Sequence, residues 1–134
     1  MYLREGDLLA FIYVGIGGFL GSCLRYLFNI ICKDFAAVFP FGTLLSNVVA
    51  GLLIGFIIGL DRQTDFISPQ MKLFLTTGLL GGLSTFSTFS METVDLFSDG
   101  QYFICSLNIL LNLALSLLGV VIGIWAAKTA FNKV

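Results

Sequence analysis

The sequence predicts an all-α integral membrane protein with four transmembrane helices, of which the third is broken near its middle. Hydrophobic residues make up 57% of the 134 residues and charged residues only 11%, whereas soluble domains carry about 25% charged residues. The apolar residues are grouped in four runs, each close to the ~20 residues that a helix needs to cross a bilayer. Glycines and hydroxyl residues interrupt the third run.

The four runs form a single transmembrane domain over residues 1–134. The predicted helices cover about residues 8–31, 42–60, 71–97 and 102–127. The segments between them are short and carry polar residues, glycine, or the prolines Pro40 and Pro69, which is typical of connections. Short connections make neighbouring helices antiparallel, so both ends of the chain are expected on one side of the membrane.

The composition excludes several classes of function. The chain has no histidine, which excludes His-ligated metal sites and imidazole catalysis. Its serines and threonines have no suitably placed base to activate them, so an enzyme is not expected. The net charge is −1 and there is no basic patch, so nucleic acid is not an expected partner.

The positive charges show a small bias between the two sides of the membrane. The side that holds both chain ends carries Arg4, Arg62, Lys72, Lys128 and Lys133, and the other side carries Arg25 and Lys33. Cytoplasmic loops are enriched in Lys and Arg, so the bias favours cytoplasmic ends. A mixture of both orientations stays open.

Small residues recur at the spacing of helix contacts. Glycines lie four residues apart in helices one, two and four: Gly17 and Gly21, then Gly51, Gly55 and Gly59, then Gly119 and Gly123. Such stripes let helix backbones approach closely in lipid. Four helices of this size enclose little interior, so the stripes lead us to expect an oligomer.

Polar side chains within the apolar runs are costly in lipid and therefore candidates for function. Helix two carries Ser46 and Asn47 just inside its start. Helix four carries Asn108, Asn112 and Ser116 at i, i+4 and i+8, which stacks them along one face. A single asparagine would serve to hold helices together, whereas three polar residues in line predict a hydrated track.

The third run combines glycines, hydroxyls and phenylalanines. Gly81 and Gly82 lie near its middle, where glycine weakens a helix, and we expect an interruption whose free carbonyls could coordinate a cation. Phe86 and Phe89 follow, three residues apart on one face. Phenylalanines in membrane helices are normally packing residues, but a ring edge carries partial positive charge and could face an anion.

Arg25 of helix one is expected either to anchor a helix end or to act electrostatically at a pore mouth.

Three motifs in order resemble the Fluc (CrcB-type) fluoride channel family. They are GIGGFLGSCLRY at residues 15–26, FGTLLSNVVAG at residues 41–51, and TTGLLGGLSTFSTFSME at residues 76–92. The third is the most specific. The resemblance implies a dual-topology antiparallel homodimer in a bacterial cytoplasmic (inner) membrane, with two fluoride pores along the subunit interface. The implied activity is passive export of fluoride from the cytoplasm, which gives fluoride resistance.

The resemblance also implies roles for individual residues. The pore asparagine corresponds to Asn47, and the paired pore phenylalanines correspond to Phe86 and Phe89, each pore drawing one from each subunit. The remaining implied pore residues are Ser87, Thr88, Glu92, Asn108, Asn112 and Ser116. A structural sodium ion at the dimer centre is implied on the backbone carbonyls of Gly81 and Ser84. Ser84 stands where many members have threonine, and the helix-four asparagines differ from the hydroxyl or aromatic groups of some members.

Two other functions fit part of the pattern. A small four-helix dimeric multidrug/proton antiporter would need a carboxylate inside the membrane, yet helix one has none over residues 8–31, and Glu92 and Asp95 lie near the end of helix three. A non-transporting assembly subunit of the membrane would show similar glycine stripes. That alternative does not account for the aligned polar groups or for the broken third helix.

Overall fold

The computed structural model describes residues 5–34, 38–64 and 66–131, and all regular structure within them is helical. In chain order the helices are α1 (Glu5–Ile31), α2 (Phe41–Gln63), α3 (Pro69–Leu73), a π-helical segment (Phe74–Leu80), α4 (Gly81–Leu83), α5 (Phe86–Ser98) and α6 (Tyr102–Ala130). Two of the positive charges counted above, Arg4 and Lys133, lie outside the described residues.

Three of the four predicted spans are single helices long and apolar enough to cross a membrane. They cover Gly6–Ile31, Phe41–Gln63 and Tyr102–Ala130. The remaining predicted span, residues 71–97, is divided among α3, the π-helical segment, α4 and α5. Because none of these pieces alone has the length of a span, a fourth crossing stays a prediction.

The interruption predicted in the third helix lies at Ser84 and Thr85. Both residues adopt extended backbone conformations, with φ −72° and ψ 151° at Ser84 and φ −150° and ψ 113° at Thr85. The Thr85 hydroxyl then caps α5 by accepting a hydrogen bond from the Thr88 N–H at 3.2 Å. Threonine favours both extended backbone and the N-cap position, so the residue type agrees with the break.

The π-helical segment Phe74–Leu80 was not expected from the sequence. Such segments are rare and occur often at functional sites. Its backbone packs directly against α1, where a Cβ atom built on Gly21 would overlap the Leu79 carbonyl and lie 2.8 Å from the Leu83 nitrogen. Because Gly21 has no side chain, the π-helical segment can pack directly against α1.

The glycines of α2 and α6 pack these two helices against each other. A Cβ atom on Gly55 would lie 2.8 Å from the Val120 Cα, and one on Gly123 would lie 2.6 Å from the Phe56 nitrogen. The stripes are thus used for contacts within one chain, and the oligomer that we expected from them stays a prediction. The case for a second copy has to rest on the exposed surface instead.

The small buried core lies beside the break. Ala50 of α2 packs with Leu80, the last residue of the π-helical segment, and with Leu83, the last residue of α4. At the end of α2, Asp61 forms an ion pair with Lys72 of α3 across the connecting segment. The Ala50 contacts pack α4 against the first half of α2, which also carries Asn47.

Candidate functional site

A cleft of about 380 Å³ opens on the surface at the broken helix. It lies between the break, the middle of α2 and one face of α6. Seven of the residues predicted for the site line it: Asn47, Gly81, Ser84, Phe86, Phe89, Asn112 and Ser116. The rest of the wall is mostly apolar, with Ala50, Ile54, Leu80 and Val120 among its residues.

The carboxamide of Asn47 binds both backbone polar groups of Thr85. Its Oδ1 accepts a hydrogen bond from the Thr85 N–H at 2.7 Å, and its Nδ2 donates to the Thr85 carbonyl at 3.3 Å. In a continuous α-helix the Thr85 N–H would donate to the Gly81 carbonyl. Asn47 therefore replaces a lost helical bond, which explains how an interrupted backbone is tolerated at this depth.

A chain of hydrogen bonds continues from Asn47 into α6. Its Nδ2 also donates to Asn112 Oδ1 at 2.9 Å, and Asn112 Nδ2 donates to Asn108 Oδ1 at 2.9 Å. Asn108 Nδ2 then donates to the Thr93 hydroxyl of α5 at 3.0 Å. Asn108 is fully buried and Asn112 is 4% exposed. These two side chains therefore hold helices together and do not form a continuous hydrated track along α6.

The hydrogen bonds decide which donors the cleft can offer an anion. Both Nδ2 hydrogens of Asn47 are engaged, and the bond to the Thr85 carbonyl is the longer of the two. Ser116 lines the cleft, and its buried hydroxyl oxygen has no hydrogen-bond partner among the described residues. Ser116 therefore supplies a free O–H group, whereas Asn47 can donate to a bound ion only by releasing one of its present acceptors.

Phe86 and Phe89 lie side by side at the mouth of the cleft. Their ring centroids are 5.6 Å apart and the rings are inclined by 50°. Phe89 is only 8% exposed, whereas Phe86 is 75% exposed. One ring is therefore fixed within the chain, and the other projects beyond it.

Four residues predicted to line the pore lie outside this cleft. The hydroxyls of Ser87 and Thr88 contact the Thr85 hydroxyl at 3.2 and 3.0 Å, at the start of α5. One turn later, Glu92 accepts a hydrogen bond from the buried Thr43 hydroxyl of α2 at 2.7 Å. These groups form a second polar face of α5. Asn108 is the fourth residue, and it reaches the cleft only through Asn112.

Arg25 lies on α1 and contacts the opposite side of the break. Its Nε donates to the Gly82 carbonyl at 3.2 Å, an acceptor that a continuous helix would pair with the N–H of Phe86. Of the two roles predicted for Arg25, this contact is the one expected of a helix anchor. Arg25 and Asn47 together bond to the break from two neighbouring helices.

Comparison with known proteins places this arrangement in a family. The family described as "CrcB-like protein, Camphor Resistance (CrcB)" matches residues 12–124. The chain belongs to the CrcB family. A relative from Clostridium perfringens is 51% identical over 125 residues, which cover 92% of this chain and 98% of the relative. A relative from Clostridium novyi is 50% identical over 117 residues, covering 87% and 91% of the two chains.

A third CrcB-family relative, from Elusimicrobium minutum, is 44% identical over 120 residues, with 88% of this chain and 93% of the relative covered. All three relatives carry the name "Fluoride-specific ion channel FluC". The family resemblance stated from the three sequence motifs is thereby confirmed.

In this CrcB-family chain, sequence reasoning missed two threonines that complete the polar contacts. Thr43 precedes Asn47 by one helical turn, so the spacing i, i+4 on α2 could have placed both on one face. Thr93 follows Phe89 by four residues on α5, which is the same signal. Threonine hydroxyls in membrane helices usually bond to the preceding turn, so the residue type alone does not indicate such contacts between helices.

Proposed function

We propose that this chain is a fluoride-selective ion channel that allows passive, electrodiffusive export of fluoride, and that it is not an enzyme. The observation that carries the proposal is the cleft at the helix break, which brings Asn47, Phe86, Phe89 and a free Ser116 hydroxyl together. The printed names of the curated relatives support the same activity.

The cleft offers the groups that a small anion needs in place of its water. Fluoride is strongly hydrated, and a selective path must replace the hydration shell with protein donors. The Ser116 hydroxyl is free to donate, and the Asn47 Nδ2 can exchange its 3.3 Å bond to the Thr85 carbonyl for a bond to the ion. The positive edges of Phe86 and Phe89 complete the surroundings without a fixed cation.

Passive export follows from the acid–base chemistry of fluoride. Neutral hydrogen fluoride crosses lipid from acid surroundings and dissociates in a more alkaline cytoplasm, which traps the anion. A negative-inside membrane potential then drives the anion outward with about 2.3 kcal/mol per 100 mV. Such a leak would confer fluoride resistance on a bacterium with this protein in its cytoplasmic (inner) membrane.

We further propose that the working unit is an antiparallel homodimer with dual topology and two pores. Phe86 is three-quarters exposed although it borders the cleft, and a second copy would cover that ring and close the open side. Gly81 and Ser84 are exposed on the same surface. Each pore would then combine phenylalanines from both subunits.

A sodium ion at the dimer centre is part of the same proposal. The Thr85 N–H bonds to Asn47 instead of the Gly81 carbonyl, and Ser84 lies in extended backbone, so both carbonyls suit a hard cation that prefers oxygen ligands. The described residues contain no cluster of three or more His, Cys, Asp or Glu side chains that could hold a metal. That finding does not test a site built from backbone carbonyls.

The alternative functions gain no support from the geometry. Glu92 lies outside the cleft, and one of its carboxylate oxygens accepts a hydrogen bond from Thr43, so the cleft that we propose as the ion path is not lined by the carboxylate that a proton antiporter needs. A purely structural subunit would have no reason to retain a free hydroxyl beside two buried asparagines.

The proposed activity predicts selective fluoride release from liposomes. Vesicles that contain the purified protein and potassium fluoride should release fluoride when a potassium ionophore removes the charge build-up, and a fluoride electrode measures the rate. The same vesicles loaded with potassium chloride should release almost no chloride. Equal release of the two ions would contradict the selectivity, and release no faster than from protein-free vesicles would contradict the channel itself.

Dual topology predicts that the chain ends are found on both faces of the membrane. Cys23, Cys32 and Cys105 are replaced by serine, one cysteine is added after Val134, and intact cells are treated with a membrane-impermeant maleimide. One fraction should be labelled from outside, and the remainder should react only after permeabilisation. Labelling from a single face would contradict dual topology and leave the flux result unaffected.

A further inference from the structure

We propose that Thr93 is a positioning residue for the cleft, acting on Asn47 through Asn108 and Asn112. This inference rests on the proposed function, because the cleft matters only if ions use it. Thr93 does not line the cleft. A chain of hydrogen bonds nevertheless connects it to Asn112 and Asn47, which line the cleft on α6 and α2.

The Thr93 hydroxyl makes two bonds in opposite roles. It donates to the Phe89 carbonyl of the preceding turn at 2.7 Å and accepts from Asn108 Nδ2 at 3.0 Å. The first bond is ordinary for threonine in a helix. The second is not local, since it joins α5 to α6 and fixes the rotation of a fully buried carboxamide.

The remaining side-chain bonds run in one direction and end at the Thr93 hydroxyl, and Asn112 Nδ2 also donates to the Asn108 backbone carbonyl at 3.2 Å. Asn47 donates to Asn112, Asn112 donates to Asn108, and Asn108 donates to Thr93. The oxygens of Asn112 and Asn108 accept from the previous residue and their nitrogens donate to the next, whereas the oxygen of Asn47 accepts from the Thr85 N–H. We call these four residues the amide ladder.

Removing the Thr93 hydroxyl leaves the buried Asn108 Nδ2 without its acceptor. A buried donor without a partner is unfavourable, so Asn108 is expected to rotate toward another acceptor. Rotation would turn its oxygen away from Asn112 and weaken the hold on Asn47. The oxygen of Asn47 would then bind the Thr85 N–H less firmly. The extended backbone at Ser84 and Thr85 would be held less rigidly as a result.

Substitution of Thr93 by valine tests the amide ladder with little change in shape. Thr93→Val should lower fluoride flux through liposomes about fivefold, the loss expected from one hydrogen bond. Thr93→Ser restores the hydroxyl and should restore most of the flux. Thr129→Val is the matched control, because the Thr129 hydroxyl bonds only to carbonyls of its own helix, and its flux should equal that of the unmodified protein.

A second measurement reports on the ladder without using fluoride. The Thr85 N–H is held by Asn47, so its hydrogen exchange in lipid nanodiscs should speed up in Thr93→Val and remain slow in Thr93→Ser and Thr129→Val. Among the described residues Thr93 makes no hydrogen bond to Thr85, and the side-chain hydrogen bonds that connect the two run through Asn108, Asn112 and Asn47.

The two measurements separate failure of this inference from failure of the proposed function. Unchanged exchange at Thr85 together with unchanged flux in Thr93→Val would overturn the positioning role. Faster exchange in a protein that passes no fluoride would retain the ladder and overturn the channel. If Thr93→Val does not fold, Thr93→Ala provides the same comparison, and slow exchange at Thr85 in that variant would overturn the ladder.

Discussion

Replacing Asn47 with leucine should reduce fluoride flux by about two orders of magnitude or more. Leucine has a similar size but removes every polar contact of the carboxamide. The Thr85 N–H, the Thr85 carbonyl and Asn112 Oδ1 would all lose a partner, and each unsatisfied buried group costs about 1–3 kcal/mol. The ionophore-driven liposome assay measures the flux, and hydrogen exchange at Thr85 reports whether the break is still held.

Ser46→Ala is the matched control for this substitution. Ser46 is the neighbouring residue and is fully buried, but its hydroxyl donates only to the Gly42 carbonyl of its own helix. Its flux should remain close to that of the unmodified protein. Near-normal flux in Asn47→Leu would show that the cleft conducts without this carboxamide, which contradicts the mechanism. Equal losses in both variants would indicate general damage to α2.

Much of the fold could be predicted from the residue types in each segment of the sequence. Long apolar runs require helices in lipid, because each backbone polar group has to be satisfied within its own segment. Glycines near the middle of the third run predict an interruption, and the observed break lies just after them, at Ser84 and Thr85, whereas Gly81 and Gly82 are themselves helical. Patterns confined to one segment were therefore readable.

Features that depend on contacts between segments could not be predicted from the sequence in the same way. The glycines of α2 could have faced a second chain, and only the structure shows that they face α6. The π-helical segment depends on the close approach of Gly21, which lies more than fifty residues earlier. A stripe of small residues specifies that a partner approaches, but it does not specify which partner.

The candidate site was likewise predictable only in part: the sequence predicted which polar residues share a face, but it did not predict their hydrogen bonds. Spacing placed Asn108, Asn112 and Ser116 on one face of the last helix, and the structure brings the latter two to the cleft. Spacing alone could not show that Asn112 and Asn108 bond to each other whereas Ser116 remains free. That difference arises from the fit of α6 against α2 and α5, and it gives three similar polar residues different tasks.

Replacing Phe86 or Phe89 by isoleucine should lower fluoride flux by up to about tenfold, because aromatic contacts are worth about 0.5–1.5 kcal/mol beyond burial and the ring edges are lost. The two variants should differ in stability. Phe89 is 8% exposed and Phe86 is 75% exposed, so Phe89→Ile should lower the thermal unfolding midpoint while Phe86→Ile leaves it almost unchanged. Flux assays and thermal unfolding in detergent measure the two effects.

The comparison between these variants separates a conducting role from a packing role. Phe103→Ile is the matched control, because Phe103 lies on α6, is 77% exposed and does not line the cleft. If the rings act only by packing, flux should follow stability, and Phe86→Ile should behave like Phe103→Ile. If the ring edges face the ion, Phe86→Ile should lose flux without losing stability. Phe86 is exposed in a single chain, so such a loss would also mean that its ring meets the ion path where a second subunit covers it.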